Sequence, residues 1–187
     1  MDLLILTCKR RHAPATTGMV PFVLAKLPPG TSQADAIEKA RSGKTMEALA
    51  GSDGALVYDV ALVQPVATAF TKARASSNIS RVFDEALFTE KLLSLPRGRV
   101  TMKSVEMNVR VALLYVLHWL YEQGTVVVNG RVEDSATAEI SRAQLWQWVY
   151  HRVPIEGTPE QVSASWVIVL LLLGFRLADD IVVLFAI

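Results

Sequence analysis

The chain has 187 residues, enough to bury a sizeable core in one domain and not demanding more than one. Its 19 Lys and Arg against 18 Asp and Glu leave no field that would gather nucleic acid or anionic lipid. One cysteine, Cys8, excludes an internal disulfide and a cysteine zinc cluster and fits a reducing compartment, while 51% hydrophobic residues and a mean hydropathy of +0.32 point to surface that expects a cover.

The N-terminal apolar run "LLILTC" is preceded by Asp2 and followed by "KRRH", the reverse of a secretory signal's order, so no targeting segment is expected. "MVPFVLA" reads as a short strand. "TSQADAIEKARSGKTMEALAG" reads as a polar helix capped by Thr31 and stopped at Gly51. "DGALVYD" is a second strand after an Asp-Gly turn, and "VALVQPVATAFTKAR" the helix that follows it. Strand, helix, strand, helix at this spacing is the pattern of parallel βα units. Two units make no closed sheet, since a parallel sheet must be covered on both faces and at both edges.

From about Ser76 the character changes, and the chain divides into residues 1–75 and a helical domain over 76–187. "ASSNIS" is a polar joint, "RVFDEALFTEKLLSL" is helical, and "PRGR" breaks it before Ser104 starts the strongest helix. There Val105, Val109, Ala112, Leu113, Val116, Leu117 and Leu120 keep helical spacing, with Gly124 as the expected C-cap. "TVVVNGRV" is a short extended crossing with an Asn-Gly turn. A second helix, a Pro and Gly loop and apolar terminal helices complete the chain. The longest apolar stretch of that end, Trp166 to Phe175, is half of the ~20 residues a membrane span needs, and Arg176, Asp179 and Asp180 then interrupt it. A covered helix, not a membrane span, is expected there.

The stretch "VEDSATAEISRAQLWQW", Val132 to Trp148, sets adjacent carboxylates before an apolar helix. Asp134 or Ser135 can accept bonds from the free N–H groups of the first turn, and Glu133, Asp134 and Glu139 sit where the helix dipole favours negative charge. A capping acid can also face a cleft. Elsewhere the chemistry is thin: Gly51 and Gly54 form no phosphate loop, and His12, His118 and His151 have no companion motif for a nucleophilic set or a metal. Trp119, Trp146, Trp148 and Trp166 read as core packing on helices.

The run "SVEMNVRVALLYVLHWLYEQG...VEDSATAEISRAQLWQWVYH" resembles the C-terminal helical domain of the malate synthase family, and "EDSATAEISRAQLWQW" is close to the family pattern residue for residue. "LLILTCKRR" and "GSDGALVYDVALVQPV" resemble segments from the last part of that family's barrel, in the right order. The likeness is strongest over residues 101–151. It implies a mainly α fold, a C-terminal helical plug preceded by two βα units that resemble the end of a (β/α)8 (TIM-type) barrel.

The same resemblance implies an acyltransferase segment acting in the glyoxylate bypass that feeds the tricarboxylic acid cycle: acetyl-CoA, glyoxylate and water become malate and CoA. Asp134 matches the aspartate that serves as acid/base on the acetyl methyl group, and Glu133 and Ser135 stand beside it as supporting or capping groups. The family's Mg2+ ligands and its glyoxylate-polarising arginine belong to barrel strands upstream of Met1, so this chain supplies no metal ligand and is expected to be inactive without the missing barrel. Within the barrel-like part, Asp59-Val60 stands where the family has His-Pro, and "TTGM" around Gly18 and Met19 where it has "MGGM". A cytoplasmic or glyoxysomal/peroxisomal setting is implied. So is association with the missing barrel portion or with a second copy. The alternative is a non-catalytic helical interaction module, a relic in which Asp134 only caps a helix.

Overall fold

The structure, a computed structural model, describes residues 1–76, 85–94 and 98–177, with side chains over 1–73, 89–94 and 98–171. It is mainly helical with two small sheets. Its contacts divide it into two compact units, Met1–Pro96 with Asn129–Val132, and Arg97–Val128 with Glu133–Ile187. The polar joint expected at "ASSNIS" falls largely outside the described residues.

In the first unit, α1 (Asp2–Arg10) carries Asp2 in its first turn and Lys9 and Arg10 in its last, the signs its dipole favours at each end. Two parallel strands follow, β1 (Thr16–Val20) and β2 (Gly54–Val57), linked through α2 (Gln33–Leu49). Register runs Thr16 to Gly54, Thr17 to Ala55 and Val20 to Val57, with an irregularity between Thr17 and Val20. β1 begins and ends earlier than "MVPFVLA" suggests because Pro21 can donate no ladder hydrogen bond. The cap of α2 is Ser32, not Thr31: the Ser32 hydroxyl accepts from Asp35 N at 3.0 Å. Gly51 closes that helix at φ +104, as expected of a left-handed stop.

A buried stripe at every fourth position of α2, Ala36, Ala40, Lys44 and Ala48, packs toward α3 (Val63–Ser76). With Val20, Leu24, Leu62, Val66, Phe70 and Ala73 these alanines form the main core of the unit. Lys44 is the charged member of the stripe. Its Nζ donates to Gly18 O at 2.6 Å and to Glu47 Oε2 at 2.7 Å, and Thr17 also donates to Glu47, so the buried ammonium keeps its partners. Helix α4 (Glu85–Leu93) completes the described part of the unit.

The second unit is built on α5 (Met102–Leu120), α6 (Ser135–Tyr150) and α7 (Ala164–Leu177). Thr101 caps α5 with a reciprocal box: Ser104 N donates to the Thr101 hydroxyl at 3.1 Å, and Thr101 N to the Ser104 hydroxyl at 2.9 Å. Thus the helix starts before Ser104. Its end also differs from expectation. Tyr121 is the C-cap, Glu122 takes the left-handed position at φ +62, and Gln123 N donates to His118 O at 3.0 Å, so the last carbonyls are satisfied before the chain reaches Gly124. Val105, Val109, Leu145, Ile155 and Val162 form the core, and Trp148, Val167 and Leu170 pack against it.

Of the four tryptophans, Trp148 meets the expectation of core packing, whereas Trp119 and Trp146 are 61% and 58% exposed. Helical spacing places them on faces of α5 and α6 that this chain does not cover. The crossing between those helices is a hairpin of β3 (Val126–Val128) and β4 (Arg131–Glu133), turned at Asn129 and Gly130 with φ +51 and +74. Both positive angles are those an Asn-Gly hairpin turn requires.

Candidate active site

Asp134 stands between the end of β4 and the first turn of α6, with extended backbone at φ −128 and ψ −170. That conformation turns its side chain back over the helix start. One oxygen, Oδ1, accepts from Ala136 N at 3.0 Å and from Thr137 N at 3.1 Å. The backbone N–H of Asp134 donates to the Thr137 hydroxyl at 2.8 Å, and that hydroxyl also meets Asp134 O at 3.0 Å. The capping bonds therefore use only one carboxylate oxygen. Among the described residues no bond is recorded for Oδ2, and no buried side-chain oxygen lacks a partner, so Oδ2 faces accessible space. An oxygen so placed can take up or give a proton while its twin fixes the geometry.

The neighbours divide their roles. Glu133 is the last residue of β4 and half-buried, while Ser135 is the exposed first residue of α6; the side chain that caps is that of Asp134. Thr137, which sequence reasoning did not single out, closes the box. Its signal was the three-residue spacing from an acid cap to a hydroxyl residue. Glu139 turns outward and pairs with Arg142 at 2.5 Å. Hydrogen bonds from that guanidinium hold the Glu139 carboxyl below its ordinary value of 4.5; partial desolvation opposes them and the charge of Arg142 adds to them.

Two cavities are formed. One of about 560 Å3 is lined by Val149, Tyr150, Arg152, Gln161, Val162, Ser163 and Ala164. The other, about 360 Å3, runs along β2 and α3 and is lined by Asp53, Ala55, Val57, Val63, Val66 and Phe70 among others. Neither includes Asp134. His118 is half-exposed on α5 with Nδ1 2.7 Å from Gln123 Oε1, a satisfied histidine outside the core. Among the described residues no group of three or more His, Cys, Asp or Glu side chains is placed to hold a metal ion, so these side chains alone do not fit Mg2+. Asp59, in the position where a His-Pro was expected, caps the turn at Val60–Leu62 through Ala61 N at 3.0 Å and accepts from Leu24 N at 2.8 Å. It ties together the segments that follow the two parallel strands.

Residues 99–172 match the family described as "Malate synthase, C-terminal". The chain is 39% identical over 161 residues to the glyoxysomal malate synthase of Glycine max and 35% identical over 161 residues to that of Gossypium hirsutum, in each case 83% of this chain and 28% of the relative. Against malate synthase A of Escherichia coli (strain K12) it is 33% identical over 154 residues, 80% of this chain and 28% of that enzyme. The chain thus spans under a third of the length of the curated relatives it matches.

Proposed function

Since this chain belongs to the malate synthase family over its matched residues, we propose that it is the closing portion of a malate-forming acyltransferase, with Asp134 as the acid/base on the acetyl methyl group. The observation that carries this reading is the division of labour within one carboxylate: Oδ1 is fixed by two backbone bonds, and Oδ2 is left for chemistry. The α-proton of a thioester is weakly acidic, so a carboxylate must stand within hydrogen-bond reach of it. In the proposed reaction Asp134 takes that proton from acetyl-CoA. The C–H pair forms a bond from the methyl carbon to the aldehyde carbon of glyoxylate, and water then cleaves the thioester to release malate and CoA. Helix N–H groups around the cap favour the ionised acid before the transfer.

The remaining groups come from outside this chain in this reading. Two parallel strands, β1 and β2, supply part of a sheet whose other strands a (β/α)8 barrel portion would add, and that portion would bring the Mg2+ ligands, since the described side chains do not fit the metal. The cavity along β2 and α3 is the apolar face such strands would cover. Leu56 and Val60, 62% and 83% exposed, support a completing partner, a second copy of the chain being the other candidate. The glyoxysomal relatives support a glyoxysomal or cytoplasmic setting, and among the described residues no helix is long and apolar enough to cross a membrane.

A non-catalytic helical module is the second reading, favoured by one observation: neither cavity of this chain includes Asp134. The test is a malate-forming assay with the barrel portion of a relative supplied, fused or separate. Malate formation that disappears in Asp134→Asn supports the first reading. An assembled complex without activity supports the second.

A further inference from the structure

The tip of the β3–β4 hairpin is buried, which an Asn-Gly turn seldom is. Gly130 sits at φ +74 with no room for a side chain: a Cβ there would lie 2.9 Å from Leu27 Cα, 2.9 Å from Pro28 Cδ and 3.0 Å from Lys26 O. Gly130 O accepts from Val23 N at 2.9 Å, and Val132 N donates to Pro21 O at 2.8 Å. Phe22 and Arg131 form an antiparallel bridge, and the Arg131 guanidinium lies 5.7 Å from the Phe22 ring centre. Every one of these partners belongs to the segment that directly follows the C-terminal end of β1.

That end of a parallel strand is where α/β sheets place their ligands. The bond from Asp59 to Leu24 anchors the same segment to the turn after β2, so the surface that receives the tip is itself held. Val132 is only two residues before Asp134, and two residues of chain span at most about 7 Å. We infer that Gly130 is a positioning residue: by letting the hairpin tip seat against Lys26–Pro28, it fixes the chain immediately ahead of Asp134 to the carboxyl end of β1. The inference rests on the catalytic reading of Asp134. Arg131 is the secondary grip.

The test uses the full chain with the barrel portion supplied, and compares Gly130→Ala, Gly157→Ala and Arg131→Ala. Gly157 has nearly the same backbone angle, φ +80, with nothing within 4 Å of its would-be Cβ, so it carries the conformational penalty without the collision. Amide exchange at Val23 and Val132 reads the seat, and steady-state kinetics read the chemistry. Since small misplacements of a reacting group cost up to about 100-fold, Gly130→Ala should speed exchange at both amides and lower kcat at least about tenfold, with KM for both substrates within about twofold. Gly157→Ala should change neither. Arg131→Ala should move both readouts the same way by less, and it carries the comparison if Gly130→Ala does not fold. Loosened amides with kcat retained overturn the inference, as does an equal kcat loss in Gly157→Ala. A wild-type assembly that forms no malate instead overturns the catalytic reading and removes the inference with it.

Discussion

Asp134 and Thr137 cap each other: the acid's Oδ1 accepts from Thr137 N, and the threonine hydroxyl accepts from Asp134 N. The two bonds lock one end of α6 and aim the acid in the same act. Asp134→Ala should therefore cost about 0.5–2 kcal/mol of stability, and Asp134→Asn almost nothing, because asparagine caps about as well. In the assembled enzyme the same Asn variant should lose ~10²–10⁴ of its turnover, the usual contribution of a general acid/base. Thermal unfolding beside the malate assay separates the two effects; an Asn variant with full turnover would end the catalytic reading.

Thr137→Val keeps the volume and removes the hydroxyl, so Asp134 N loses its acceptor. A loss of about 1–3 kcal/mol is expected, with most of it recovered in Thr137→Ser. Denaturant midpoints of the two variants provide the measurement, and equal midpoints would show that the box contributes nothing.

Ile155 is 2% exposed in the core of the helical unit, whereas Val60 is 83% exposed. Ile155→Ala should cost about 2–5 kcal/mol through lost contacts and a residual cavity. Val60→Ala, a change at an exposed site, should stay within about 0.5 kcal/mol. Urea unfolding at unchanged slope would give both values; comparable losses at the two sites would contradict the assigned core.

Glu139 and Arg142 predict a small pH effect of known sign. The hydrogen bonds from Arg142 lower the folded carboxyl's pKa below 4.5, so the pair's stabilisation is fully present above that value and disappears as pH falls through the folded pKa. Both side chains are exposed, 62% and 63%, so the effect is slight and salt-sensitive. The melting-temperature difference between wild type and Glu139→Gln should be small near neutrality and close in acid. A gap that widens in acid would reverse the sign. Glu38 with Arg41 repeats the arrangement on α2, again chiefly through the hydrogen bond.

Much of this was legible from local rules. The parallel βα pattern, the left-handed stop at Gly51, the Asn-Gly hairpin and the cap at Asp134 each depend on a few adjacent residues, and each stands where the sequence indicates. What was hidden depends on neighbours far along the chain. Periodicity identified the apolar faces of α5 and α6 but not whether anything covers them, so exposed Trp119 and Trp146 passed for core. An Asn-Gly pair announces a turn; nothing in it announces Lys26–Pro28 packed on Gly130. The shift of the α5 stop from Gly124 to Glu122 has a simpler cause. Backbone bonds from Tyr121, Glu122 and Gln123 to His118 and Trp119 finish the helix first.

The double use of Asp134 also bears on how such a chain would diverge. A gene copy released from making malate would still be selected to fold, and the first turn of α6 would continue to favour a capping side chain at this position. Asparagine and serine satisfy that demand as well as aspartate does, so neutral drift would move among the three and leave the helix intact. A lineage under selection for the reaction has no such freedom, because only the carboxylate can accept the proton. Among descendants of this sequence, replacement of Asp134 by another good cap would be the earliest trace of an abandoned reaction, preceding any sign of decay in the fold.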